Sequence, residues 1–183
     1  MNILLTDAAA SAIHHADIEV RDLIPFTLQA LEQLPAHLEN HRAALAEGRT
    51  LGECLQIDPQ LLSRCRQLCE SLCENGEFLI ALPLAMYCAS FASDDHEHSF
   101  LAGACLQRLG QPASAVHFYR VALQLDEANA ASAYRLGECL EAIGQRDDAS
   151  HLYQWAIELA RGDFALRTLQ TMAVDRLERL QAR

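Results

Sequence analysis

Apolar positions recur at helical spacing along most of this 183-residue chain. From Asp17, the run Ile18, Leu23, Phe26, Ala30, Leu31 and Leu34 predicts an amphipathic helix. Pro25 is expected to kink or restart that helix, and Pro35 to end it. Leu38, Ala44 and Leu45 predict a second helix over 36–47, stopped by Gly48. Thr50 is placed to cap a short helix that Ile57 closes. Asp58-Pro59 then starts a longer one, with Asp as N-cap and Pro at the first helical position. Six helices follow in three pairs: 59–75 with 77–91, 95–109 with 112–125, and 129–143 with 147–161. Pro83 falls inside the second of these and marks the first pair as the least regular. Trp155 is expected to lodge between neighbouring pairs. Leu166, Leu169, Val174, Leu177 and Leu180 predict a last amphipathic helix over 164–180. Residues 1–16 carry no period and are expected to form a poorly ordered end.

The three pairs are copies of one another. Gly76, Gly110 and Gly144 lie 34 residues apart, as do Leu72, Leu106 and Leu140, and Ala81, Ala115 and Ala149. Tyr119 with Tyr153, and Ala122 with Ala156, keep the same step; Gly103 and Gly137 do so with Cys69 in the first copy. A period of 34 is the signature of the tetratricopeptide repeat, a helical hairpin that stacks into a solenoid. The chain is therefore expected to be all-α and a single domain over 1–183. Its parts are N-terminal helices over 17–57, repeats at 62–95, 96–129 and 130–163, and a capping helix over 164–183. Each column has a mechanical role. The small residue at 69, 103 and 137 lets the second helix approach the first. The later Gly closes the first helix in a left-handed conformation.

Composition narrows the function. Fourteen basic against 25 acidic residues leave a formal charge of −11, which repels phosphate backbones and argues against nucleic acid. The sequence has neither a long apolar run nor a signal-peptide pattern, so a cytosolic protein without membrane insertion is expected. The seven cysteines sit within helical patterns and are expected to be reduced, small apolar side chains. Cys65, Cys69 and Cys73 are strung over about 12 Å of helix, too far for one ion. The pair His37/His41 is expected to be solvated, and His96 and His98, flanking Glu97, to be an ordinary charged helix start, so no metal site is expected. None of the phosphate-binding, nucleophile-elbow, zincin or dinucleotide patterns occurs. Neither an enzyme nor a cofactor is expected.

Binding remains. The concave side of such a stack is lined by positions 2, 5, 9 and 12 of each first helix. These are Ser63, Arg66, Glu70 and Cys73; Glu97, Phe100, Ala104 and Gln107; and Ala131, Tyr134, Glu138 and Glu141. Two aromatic anchors, small residues and hydrogen-bonding groups suit an extended peptide. Glu138 and Glu141 are expected to belong to an acidic binding surface.

Gly103-Ala104-Cys105-Leu106-Gln107, followed by Gly110-Gln111, Ala115, Tyr119, Ala122 and Asp126, resembles the second repeat of class II type III secretion chaperones. Gly48-Arg49-Thr50-Leu51, with Leu55, Ile57 and Leu61, resembles the segment leading into their first repeat. Gly137-Glu138-Cys139-Leu140 and Gly144 resemble their third. The likeness spans about residues 48–163. It implies a cytosolic bacterial chaperone that holds hydrophobic translocator proteins, with an extended client segment in the concave groove. It also implies a homodimer through the N-terminal helices, for which Leu23, Phe26, Leu31 and Leu34 are the candidate stripe. Family members often carry aromatics at the first-repeat groove positions, where this chain has Arg66, Glu70 and Cys73, which implies a different client motif there. The competing readings are a general tetratricopeptide adaptor, or a regulator or structural component of a secretion apparatus.

Overall fold

The computed structural model describes residues 20–182. The expected N-terminal end at 1–16 and the helix start at Asp17 and Ile18 lie outside them. Every regular element among the described residues is a helix, and the helices fall into two compact units that meet at Asp94/Asp95. The first unit holds α1 (Val20–Asn40), α2 (Arg42–Ala46), α3 (Leu51–Cys54), α4 (Pro59–Glu74) and α5 (Phe78–Phe91). The second holds α6 (His96–Arg108), α7 (Pro112–Leu125), α8 (Ala130–Ala142), α9 (Arg146–Leu159) and α10 (Arg167–Gln181). The helical pairs α4/α5, α6/α7 and α8/α9 are the three tetratricopeptide hairpins.

Local chemistry fixes the helix starts. Thr50 and Glu53 form a reciprocal capping box: the Glu53 amide donates to Thr50 Oγ1 (3.2 Å) and the Thr50 amide to Glu53 Oε2 (2.8 Å). Asp58, Asp95 and Asn129 cap α4, α6 and α8, each accepting an amide proton at 2.9 Å. The helix ends are equally regular. Gly76, Gly110 and Gly144 have φ of +79°, +75° and +84°. After each glycine the next amide donates back to the carbonyl of Leu72, Leu106 or Leu140, at 2.8–2.9 Å. This is the left-handed closure that the glycine column predicts.

The first helix departs from expectation. Pro35 does not end α1, which runs on to Asn40 and breaks at His41. Both Pro25 and Pro35 are exposed, so each ring points to water and removes one hydrogen bond without displacing core. The inner side of α1 is anchored instead by Leu23 and Thr27, both fully buried. Phe26 meets Tyr87 of α5 edge-on at 5.6 Å, and Tyr87 stacks on Phe91 at 4.6 Å. Tyr87 and Phe91 belong to a helix that is apolar on all sides; α5 begins Phe-Leu-Ile-Ala-Leu-Pro-Leu-Ala-Met. Leu79 and Ile80 at its N-terminal end nevertheless stay 72% and 42% exposed.

In the second unit the core is a ladder of small and aromatic residues. Ala115, Tyr119 and Ala122 of α7, and Ala149, Tyr153 and Ala156 of α9, are fully buried. The last helix starts at Arg167, three residues later than the apolar pattern predicts. Phe164 is 81% exposed and lies 5.2 Å from the Arg167 guanidinium. Of α10 only Ala173 is buried. Trp155, expected between hairpins, is 39% exposed on the rim of a cavity of about 420 Å³. Leu123, Leu136, Leu140 and Leu152 line its apolar part.

Candidate functional site

The predicted groove residues of the second unit come together on one face of α6 and α8. Phe100 is half-buried, with its ring edge-on to Tyr119 at 5.4 Å. One turn on, Ala104 leaves space beside it, and Gln107 follows. The Gln107 amide donates to Glu138 Oε2 (3.2 Å), while its carbonyl accepts from the Tyr119 hydroxyl (2.9 Å). Glu97 is exposed at the start of α6, and Ala131 is half-buried near the start of α8.

Glu138 is the hub. Beyond Gln107 it accepts from the Tyr134 hydroxyl (3.1 Å), from Arg135 (2.8 Å) and from Arg176 (3.1 Å). Arg176 comes from α10 and also reaches Glu141 at 3.5 Å, and Glu141 accepts from the Tyr153 hydroxyl at 2.8 Å. One polar chain, Tyr119–Gln107–Glu138–Arg176–Glu141–Tyr153, thus ties five helices together. Its electrostatics are self-consistent. Burial pushes the Glu138 carboxyl upward, but the Arg135 hydrogen bond and charge, with the bonds from Gln107 and Tyr134, outweigh it and hold the carboxyl below its usual range. The Tyr119 and Tyr153 hydroxyls are pushed well up, first by burial; for Tyr153 the bond to Glu141 adds to it. They remain neutral donors. The Cys139 thiol is pushed up to about 12, by burial first and then by Glu138. It is an inert core thiol.

Three placements differ from a simple lining of exposed side chains. Tyr134, expected as a peptide anchor, is 3% exposed, because its hydroxyl is drawn to Glu138 and its ring lies 5.7 Å from Tyr153. Leu23, in the candidate dimer stripe, is fully buried inside the first unit, and Phe26 is engaged with Tyr87. Leu31 and Leu34 are half-buried, whereas Leu28 and Leu38, absent from that stripe, are 48% and 44% exposed. Arg135 and Arg176 escaped sequence reasoning. Arg135 adjoins a groove position, but Arg176 lies on the capping helix, outside every repeat column.

In the first unit the matching positions lie along α4. Ser63, Arg66, Glu70 and Cys73 are all half-buried. Arg66 pairs with Glu70 at 3.9 Å, and Ser63 accepts from Gln67 at 3.4 Å. Among the described residues, no helix is long and apolar enough to cross a membrane.

The three hairpins with their 34-residue period define a tetratricopeptide architecture. A family model for the anaphase-promoting complex, cyclosome, subunit 3, matches residues 74–156, less than half of the chain. No curated protein matches by sequence. Solved structures are more informative. A type III secretion complex from Aeromonas hydrophila superposes with a TM-score of 0.73 at 22% identity, covering 79% of this chain and 96% of that one. The Yersinia enterocolitica type III secretion chaperone SycD, in complex with a peptide of the translocator YopD, gives 0.66 at 22%, covering 69% and 96%. PcrH of Pseudomonas aeruginosa, bound to the chaperone-binding region of PopD, gives 0.66 at 22%, covering 69% and 95%. The chain has the fold of the class II type III secretion chaperones.

Proposed function

We propose that this protein is a cytosolic chaperone of a bacterial type III secretion system. It holds a hydrophobic translocator protein through an extended segment and keeps it soluble before export. The observation that carries this reading is the shared fold with SycD and PcrH, each crystallised with a translocator segment, over nearly the whole of those chains. The groove face supports it. Phe100 and the space beside Ala104 suit an apolar client side chain, and Gln107 offers polar groups for its backbone. The matching α4 positions, Ser63, Arg66, Glu70 and Cys73, are proposed to engage the same client. A protein that binds exposed membrane-seeking surface early competes with its aggregation by mass action. The homodimer is part of the proposal, with Leu31 and Leu34 of α1 as contact residues.

The test is binding of labelled YopD and PopD segments, joined with capture of partners from the protein's own cytosol. Binding that Phe100→Glu removes from a folded protein supports the reading. Failure of both segments to bind, with no secreted membrane-active protein captured, removes it and favours a general adaptor.

A further inference from the structure

α10 does more than cap the last hairpin. It is a polar helix with one buried residue, Ala173, and no side-chain N-cap. Its polar ties to the preceding hairpin include Gln170 Nε2 to the Ile157 carbonyl (3.4 Å) and the two Arg176 pairs (3.1 and 3.5 Å). Arg176 is itself 38% exposed. Yet those pairs end on Glu138 and Glu141, two of the groove positions, beside the buried Tyr134. Leu169, Val174, Leu177 and Leu180 are only half-buried, so α10 is the least buried helix of the second unit, and with its charges closing on the candidate binding face it is the readiest to open.

We infer that α10 is a charge-latched strap. Closed, Arg176 covers the Tyr134–Glu138–Glu141 part of the groove; open, it releases that part to a partner. The latch rests on ion pairs that solvent reaches from the Arg176 side, so salt weakens it. A binding-competent state that is only partly populated lowers apparent affinity by its fraction. Removing the latch therefore raises affinity by at most the closed-to-open ratio, about three- to tenfold for two such pairs. What the strap regulates rests on the proposed chaperone function, whereas the strap itself does not.

Hydrogen exchange of the full chain tests the device without any ligand. Raising salt from about 20 mM to about 500 mM, which shortens the Debye length about fivefold, is expected to speed exchange in 167–181 several-fold and to leave α8 and α9 unchanged. Arg176→Ala is expected to do the same at low salt, and Arg176→Lys to restore protection in part. Unchanged exchange in 167–181 overturns the strap. Equal acceleration through α8 and α9 overturns it too, because Arg176 is then a brace of the core. The labelled PopD segment supplies the second readout. Tighter binding to Arg176→Ala supports gating, and equal or weaker binding in a protein that still binds the segment overturns it. If exchange behaves as expected and neither segment binds wild type or variant, the strap stands and the chaperone reading fails.

Discussion

The ring of Tyr119 lies against the Cα of Gly103: a methyl placed there would sit 3.0 Å from two ring carbons and 3.1 Å from a third. Gly137 meets Tyr153 in the same way, at 2.9 Å. The first hairpin solves the same crossing differently. At the matching positions it has Cys69 for the glycine and Ala85 for the tyrosine, both buried. The larger residue has moved from one helix to the other. Gly103→Ala is expected to cost about 1–3 kcal/mol by overpacking. The pair Gly103→Cys with Tyr119→Ala should be less destabilised than the sum of its members, by about 1 kcal/mol or more. Urea unfolding of the four proteins of the cycle measures this; strict additivity contradicts it.

Gly52 offers a harsher case. A Cβ there would approach the Phe91 carbonyl oxygen to 2.5 Å. That oxygen belongs to backbone at the end of α5 and cannot rotate away. Gly52→Ala is expected to destabilise the first unit more than Gly103→Ala does the second, by about 3 kcal/mol or more. A variant with wild-type unfolding midpoint would show that α3 moves freely.

Glu138 imposes a pH dependence. Its folded carboxyl is held below the unfolded value, so the folded chain takes up this proton less readily than the unfolded chain does. The resulting stabilisation is complete above the unfolded carboxylate pKa of about 4.3 and is lost as pH falls through the folded value. Glu138→Gln is expected to cost about 1–3 kcal/mol at pH 7. The gap to wild type should narrow below about pH 4. Equal gaps at pH 7 and pH 3 would contradict the role of the charge.

On α1 the two sides have different tasks. Leu23 and Thr27 are buried, whereas Leu28 and Leu38 are exposed and Leu31 is half-buried. If the protein self-associates through this helix, Leu31→Asp should weaken it, while Leu23→Asp should unfold the first unit. Light scattering and circular dichroism separate the two effects. An unchanged mass for a folded Leu31→Asp variant clears α1 of the role.

The repeat was legible because its columns are backbone requirements. A left-handed helix end selects Gly76, Gly110 and Gly144, and the crossing at Gly103 and Gly137 admits no side chain under a tyrosine. The caps at Thr50 and Asp58 were legible for the same local reason. The burial of Tyr134 was not, because its cause lies in side-chain contacts, with Glu138 one turn on in the same helix and with Tyr153 and Arg176 on α9 and α10. Arg176 could not be found from a 34-residue period that ends before α10. The stripe on α1 mixed two faces, since helical spacing groups Leu23 and Phe26 with Leu31 without saying which side meets α5. Pro35 misled because a proline ring on the exposed side disturbs only its own helix turn and displaces no core.

The central claim is that a translocator segment lies on the groove face. Titrating the labelled PopD chaperone-binding region into wild type and Phe100→Glu, with unfolding midpoints recorded for both, tests it most directly. The expected result is saturable binding to wild type and a loss of at least about tenfold in the folded variant, in line with the removal of one aromatic anchor. Equal affinity for the two proteins would place the client elsewhere and contradict the claim.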